Sequence, residues 1–251
     1  MKRHYFILIF FLFTGCAALN PWIENVNIIP IPYEIQAGQE MAKTIIKETP
    51  LSTDSALNAK VAAIGNRLVA TLPKKDFNYA FYAVQNKEPN AFTTPGGKIY
   101  VQTGLIQFSG NENELAGVLA HELGHAYNRH PSKAMTRTYG VEALTNLILN
   151  KNQSQLKNIA LSVAKTGILT KYSRNEEREA DEFAFNILQK AGYPTTGLVS
   201  FLEKIEKLQT TAGGPTWLAT HPPTPERIAR LKALEANQKP GSITTAQGSR
   251  L

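Results

Sequence analysis

The sequence predicts a predominantly helical α+β fold in which a small sheet of three to four strands packs on one buried helix. Three observations predict it. Apolar residues recur at helical spacing through most of the chain beyond Gln39. The stretch Phe77 to Val101 is instead aromatic and β-branched, interrupted by turn residues. A segment from about Glu114 to Tyr127 carries so little polar surface that, as a helix, it must be buried all round.

The chain opens on Met1-Lys2-Arg3-His4, followed by an unbroken apolar run from Tyr5 to Phe13. That run is too short to span a bilayer and suits the core of a signal peptide. It leads into Leu12-Phe13-Thr14-Gly15-Cys16, which resembles a bacterial lipobox, with Cys16 as the lipidated residue. An ordinary cleaved leader or an uncleaved anchor is the alternative. Cys16 is the single cysteine of the 251 residues, so its lipidation leaves no thiol for a disulfide. Ala17 stands where Asp would signal inner-membrane retention, which points to the periplasmic face of the outer membrane.

Pro21, Pro30 and Pro32 make Asn20 to Tyr33 read as a tether. Gln39 to Leu72 reads as helical, with a break near Thr49-Pro50 and Pro73 as its stop. Phe77 to Val84, Ala91-Phe92 and Lys98 to Val101 read as strands, the last two joined around Pro95-Gly96-Gly97. Asn111 or Asn113 caps the buried helix, and Pro131 marks its end. Its glycines, Gly117 and Gly124, weaken a helix, so they imply close approach by backbone or substrate. Further helices are expected over Val141 to Leu149, Leu156 to Leu169 and Thr195 to Gln209. A last one, capped by Thr224 with Pro225 behind it, runs to about Ala236. Residues beyond Asn237 read as a disordered tail.

Formal net charge is +7, but the basic residues are dispersed, and two of them belong to the leader. No dense basic face supports nucleic-acid binding; attraction to an acidic membrane surface is the weaker inference kept.

The chemistry centres on His121-Glu122-Leu123-Gly124-His125. Histidines four apart on a helix lie about 40° apart around its axis and can share one metal ion. The carboxylate between them then reaches a water at that ion, the H-E-x-x-H arrangement of zinc hydrolases. Catalytic zinc needs three protein ligands and an open position. The acidic run Glu176 to Glu182 offers the third. Stepping about 100° per residue, Ala180, Asp181, Ala184, Phe185, Ile187 and Leu188 share a face with Glu177. Glu179 and Glu182 fall opposite, and Glu176 flanks. Two carboxylates on an apolar stripe need a metal or a charged partner. Glu177 is therefore the expected third ligand, and Asp181 the residue that orients a ligand imidazole.

With these residues in place the chain resembles the zinc metallopeptidases of the HtpX and CAAX-prenyl-protease type, glutamate-ligand zincins. Within them it is most similar to the soluble, LoiP-like bacterial lipoproteins. The likeness rests on Asn90 to Val101 with Gly104-Leu105, on the motif helix, on Ser173-Arg174 with Glu177 to Asp181, and on Thr220-His221-Pro222 before Arg227. It covers residues 33–236. It implies a zincin-like core, one Zn²⁺ per chain on His121, His125 and Glu177, and Glu122 as the catalytic base. It also implies hydrolysis of peptide bonds in misfolded or unassembled envelope proteins. The corresponding division is a signal peptide over 1–15, anchor and tether over 16–36, peptidase domain over 37–236 and tail over 237–251. Expected partners are extended protein or peptide substrates, the membrane through the lipid, and envelope assembly proteins.

Ala91, Phe92, Gly96 and Gly97 are the expected substrate edge, to which an extended chain adds as a strand. His221 reads either as a surface histidine or as a catalytic-site residue that stabilises the oxyanion or fills the fourth position. Arg227 reads as a helix-surface residue or as a carboxylate or transition-state contact, and His130 is assigned to no metal. The competing function is a chaperone-like or scaffold lipoprotein with a latent or structural zinc.

Overall fold

A computed structural model describes residues 26–166, 172–209, 217, 220–222 and 224–237. The leader, Cys16 and the tail beyond Asn237 lie outside the described residues.

Pro30 caps α1 (Ile31–Glu48), and Pro32 sits in its first turn. Proline is at home there because the first N–H groups of a helix have no internal partner. Pro30 and Pro32, which read as part of a tether, thus open a helix, and Ile29, Glu34, Ala37 and Met41 are buried. Glu34 is fixed by Arg129 Nε at 2.7 Å and Asn27 Nδ2 at 3.0 Å. Asp54 caps α2 (Ser55–Ala70) through Ala56 and Leu57 N–H groups, and Val61, Ile64 and Leu68 form its inward stripe.

Three strands follow: β1 (Ala80–Val84), β2 (Ala91–Thr94) and β3 (Lys98–Gln102). Their order is β1-β3-β2, with β3 parallel to β1 and antiparallel to β2. Pro95-Gly96-Gly97 closes the hairpin, and Gly96 and Gly97 take φ of 77° and 82°, the left-handed region glycine reaches without strain. The first strand begins at Ala80 rather than Phe77. Phe77 and Tyr79 are nonetheless buried, packed edge-to-face beside Gly97.

After the short α3 (Thr103–Phe108) comes α4 (Glu112–Tyr127), capped by Asn111, whose side chain accepts from Glu114 N. Every residue from Glu114 to Ala126 is buried. Arg129, at φ 58°, breaks the chain, and α5 (His130–Tyr139) starts over Pro131. The sequence reading missed α5 because it took that proline as a stop only. α6 (Val141–Leu149), α7 (Gln153–Thr166), α8 (Arg174–Lys190), α9 (Thr196–Gln209) and α10 (Pro225–Ala236) complete the order. Ser173 and Glu176 form a capping box on α8, and Thr224 caps α10.

Alternate residues of the sheet serve two cores. Ala91, Ile99 and Val101 join α2, α4, α8 and α9. Val84 and Tyr100 join α1, α5, α6 and α7, where Tyr82, Tyr100 and Phe92 stack in turn. α4 is the axis, and its glycines explain the contact. A Cβ at Gly117 would stand 2.6 Å from Leu198 N on α9, and one at Gly124 would stand 3.0 Å from the Ala180 Cα on α8. Among the described residues no helix is long and apolar enough to cross a membrane.

Gly117→Ala should therefore destabilise the fold by about 1–3 kcal/mol through overpacking, despite alanine's roughly 1 kcal/mol advantage in a helix interior. Urea unfolding at unchanged m-value checks this. A midpoint equal to or above wild type would show that α9 does not approach as closely as described.

Candidate metal centre

α4 turns His121 and His125 toward α8, which presents Glu177 and, one turn on, Asp181, and turns Glu122 toward Thr93 of β2. His221 enters from the segment ahead of α10. One ligand atom each from His121, His125, Glu177 and His221 lies within 4.8 Å of all the others, and all four residues are buried. His121 Nε2 is 3.1 Å from His125 Nε2 and 3.3 Å from His221 Nδ1. Glu177 Oε2 stands 3.5 Å from His121 Nε2, and Glu177 Oε1 is 3.5 Å from His125 Nε2 and 2.9 Å from His221 Nδ1.

These residues fit a metal ion on three grounds. Ligands about 2.0–2.1 Å from a tetrahedral zinc are roughly 3.3 Å from one another, close to the separations between these donors. Glu177 Oε2 accepts no well-aligned hydrogen bond, although Arg227 Nη1 lies 2.7 Å away. With the imidazoles neutral, as ligands must be, the buried carboxylates of Glu122, Glu177 and Asp181 outnumber the guanidinium of Arg227 by two charges, which a divalent cation would balance.

The electrostatics agree. Burial opposes a proton on His121, but Asp181 and Glu177 outweigh it and hold that imidazolium up to about 9. Burial pushes His125 well below its ordinary value. Burial also opposes charge on Glu177, yet His221 and Arg227 keep its carboxyl well below the usual range. Such a pocket favours positive charge at its centre.

Glu122 is fully buried beside this group. The Thr93 hydroxyl donates to it, with Oε2 and the backbone oxygen both at 3.0 Å. Trp217 Nε1 is 3.5 Å from Oε1, and His221 Nε2 is 3.4 Å from the same oxygen. Thr93 lies on the α4 side of β2 because Phe92 and Tyr100 occupy the other side.

Asp181 is where helical phase puts it, with Oδ1 3.0 Å from His121 Nδ1, although the angle is bent. Arg227 is not on the surface. Its Nε and Nη2 donate to both oxygens of Asp181 at 2.8 and 2.7 Å, and its Nη1 donates to Pro222 O at 3.0 Å. It thus ties the His221 segment to α8. Glu176, placed on the flank of α8 by phase, is also buried, in a two-pronged pair with Arg137 of α5. His221 is 1% exposed, so the surface alternative is removed.

Four neighbours had no role in the sequence reading: Thr93, Tyr172, His130 and Trp217. Tyr172 stacks on His125 with ring centres 3.9 Å apart, and His130 Nδ1 is 2.9 Å from His125 Nδ1. None shares a helix with the motif, so no periodicity could point to them. Of the expected substrate edge, Ala91 and Phe92 lie on β2, an edge strand. Gly96 packs against Glu34 and Ile35 of α1, and Gly97 against Phe77 and Tyr79. The glycine turn is thus covered, and the edge on offer is the strand.

Residues 55–235 match peptidase family M48. The chain is 36% identical over 187 residues to the metalloprotease YcaL of Escherichia coli (strain K12), covering 72% of this chain and 70% of that one. It is 28% identical over 204 residues to the metalloprotease LoiP of the same organism, covering 78% and 77%. It is 29% identical over 230 residues to the beta-barrel assembly-enhancing protease of Yersinia pestis, covering 87% of this chain and 47% of that one. The chain thus spans about half the length of that relative. The match covers the motif helix, the Glu177 helix and the His221 segment together, and the chain belongs to peptidase family M48.

Proposed function

We propose that the protein is a zinc metalloendopeptidase of the soluble, LoiP-like kind. Its substrates are extended segments of misfolded or unassembled cell-envelope proteins. The observation that carries the reading is the convergence of His121, His125 and Glu177 on one point, with the Glu122 carboxylate held beside it. A structural site has no use for that carboxylate.

His121, His125 and Glu177 would hold the ion, which when bound supplies Lewis acidity at that point. Glu122 takes the proton of the attacking water and returns it to the leaving amine. Thr93, donating to Oε2, fixes the orientation of that carboxylate. Asp181 and Arg227 hold His121 and Glu177 in register. The outer edge of β2 offers main-chain groups to an extended substrate with little demand on its sequence.

A specific observation favours a latent resting state. His221 Nδ1 joins the donor set, and Trp217, stacked on the His221 ring at 4.9 Å, donates its backbone N–H to Pro89 O just ahead of β2. His221 would therefore fill the fourth position of a bound ion, and Trp217 meets the chain just ahead of β2. Activity requires the withdrawal of His221. This retains the latent zinc of the competing reading without its scaffold role.

For location, the lipobox-like Leu12 to Cys16 and the basic, apolar leader support a lipid anchor at Cys16. The names of the relatives support envelope assembly proteins as partners. The inner face of the outer membrane is the proposed site.

Glu122→Gln should lower hydrolysis of an unfolded protein such as casein by at least about 100-fold while zinc stoichiometry stays unchanged. Chelator should abolish wild-type activity and added zinc restore it. Normal proteolysis by Glu122→Gln would sink the assignment. His221→Ala should raise the basal rate several-fold; a fall of 100-fold or more would instead make His221 a transition-state group.

A further inference from the structure

His121 and His125 are held by different means. His121 leans on the Asp181 carboxylate. His125 faces another imidazole, His130, the first residue of α5, whose side chain is completely buried. His130 Nε2 in turn lies 3.1 Å from Glu179 Oε2, on α8. Glu179 is 43% exposed and has Lys133 Nζ at 3.7 Å. The line His125, His130, Glu179 thus runs from the centre of the protein to its surface.

Proton positions along that line follow from its outer end. A carboxylate half in water beside an ammonium group is an acceptor, so His130 Nε2 must carry hydrogen. A neutral His130 then has a bare Nδ1, and the atom 2.9 Å away, His125 Nδ1, must donate to it. That leaves His125 Nε2 bare, and it is this atom that faces His121 and Glu177 at 3.1 and 3.5 Å. The Tyr172 ring, stacked on His125 at 3.9 Å and 17°, blocks rotation on the remaining face.

We propose that His130 and Glu179 are positioning residues: together they fix the tautomer and ring orientation of His125 so that its Nε2 lone pair is aimed at the metal centre. The proposal rests on the reading of His121, His125 and Glu177 as that centre. It gives a function to Glu179, which helical phase assigns to the solvent side, and to the chain break at Arg129. The break swings α5 round so that a residue just past the motif helix returns to a ligand's far side. Outer partners of ligand imidazoles commonly alter metal affinity about 10–100-fold when removed.

The test measures zinc binding to the metal-stripped full chain by competition with a chelating dye, and the visible spectrum of the cobalt form. His130→Leu keeps bulk without an acceptor, and His130→Asn puts an oxygen where Nδ1 stands. Glu179→Ala removes the outer anchor at a half-exposed position. Wild type should bind one zinc, lost in His125→Ala. His130→Leu should bind about 10–100-fold more weakly with an altered cobalt spectrum, and Glu179→Ala about 10-fold more weakly. His130→Asn should stay close to wild type, and adding Glu179→Ala to it should change nothing further. A merely structural His130 would not be rescued by asparagine, nor make Glu179 irrelevant. Should the His130 variants fail to fold, Glu179→Ala alone decides. Wild-type affinity and spectrum in both His130→Leu and Glu179→Ala would overturn the proposal. Absence of zinc binding that depends on His125 would overturn the metal centre itself, and this proposal with it.

Discussion

Three carboxylates are buried on a pair of packed helices, and the rest of the structure answers that cost. Glu177 and Asp181 on α8, and Glu122 on the side of α4 that meets β2, are almost wholly removed from water. Ionised groups so placed must find partners or lose their charge. Arg227 serves two of them and reaches the His221 segment as well. Thr93 and Trp217 reach the third. What remains uncompensated converges on one point between three imidazoles, and a divalent cation is the natural complement.

That convergence depends on how close the backbones come. α8 and α9 approach α4 at Gly124 and Gly117, where a single methyl would collide with backbone. A wider gap would separate Glu177 from the two histidines by more than a metal can bridge. The helix-weakening glycines therefore belong to the site as much as its ligands do. Their cost in helix propensity is offset by burial of α4 on every side. The sheet completes the arrangement by setting Thr93 on the inner face of its edge strand and the Tyr82-Tyr100-Phe92 stack on the other.

Features carried by a single helix were legible in the sequence. His121, Glu122 and His125 follow from spacing, and Glu177 and Asp181 from phase, because about 100° per residue holds within any regular helix. Residues brought in from other elements were not. His130 and Thr93 meet the site only through tertiary packing, and for Arg227 a helix-surface place and a carboxylate contact were both open until packing set it on Asp181. Glu176 escaped because its burial depends on Arg137 from a helix that was itself missed. Proline explains two misjudged boundaries by one cause. It stops a helix from within and opens one from the first turn, and Pro32 and Pro131 both do the latter.

His221 is where structure and activity pull against each other. With its Nδ1 among the donors, a bound ion would have a complete coordination sphere, which would stabilise the fold but leave no room for a reacting water. The two requirements are reconciled if the fourth donor is attached less firmly than the other three. The connectivity supplies that difference. His121, His125 and Glu177 are carried by two long helices that pack on each other, whereas His221 lies ahead of the first turn of α10, moored by Arg227, by Trp217 and by its own contacts. A displacement of His221 that spares α4 and α8 would open the centre and, through the Trp217 N–H bonded to Pro89 O, release a contact just ahead of β2. Opening the site and freeing the chain that leads into β2 would then be one event.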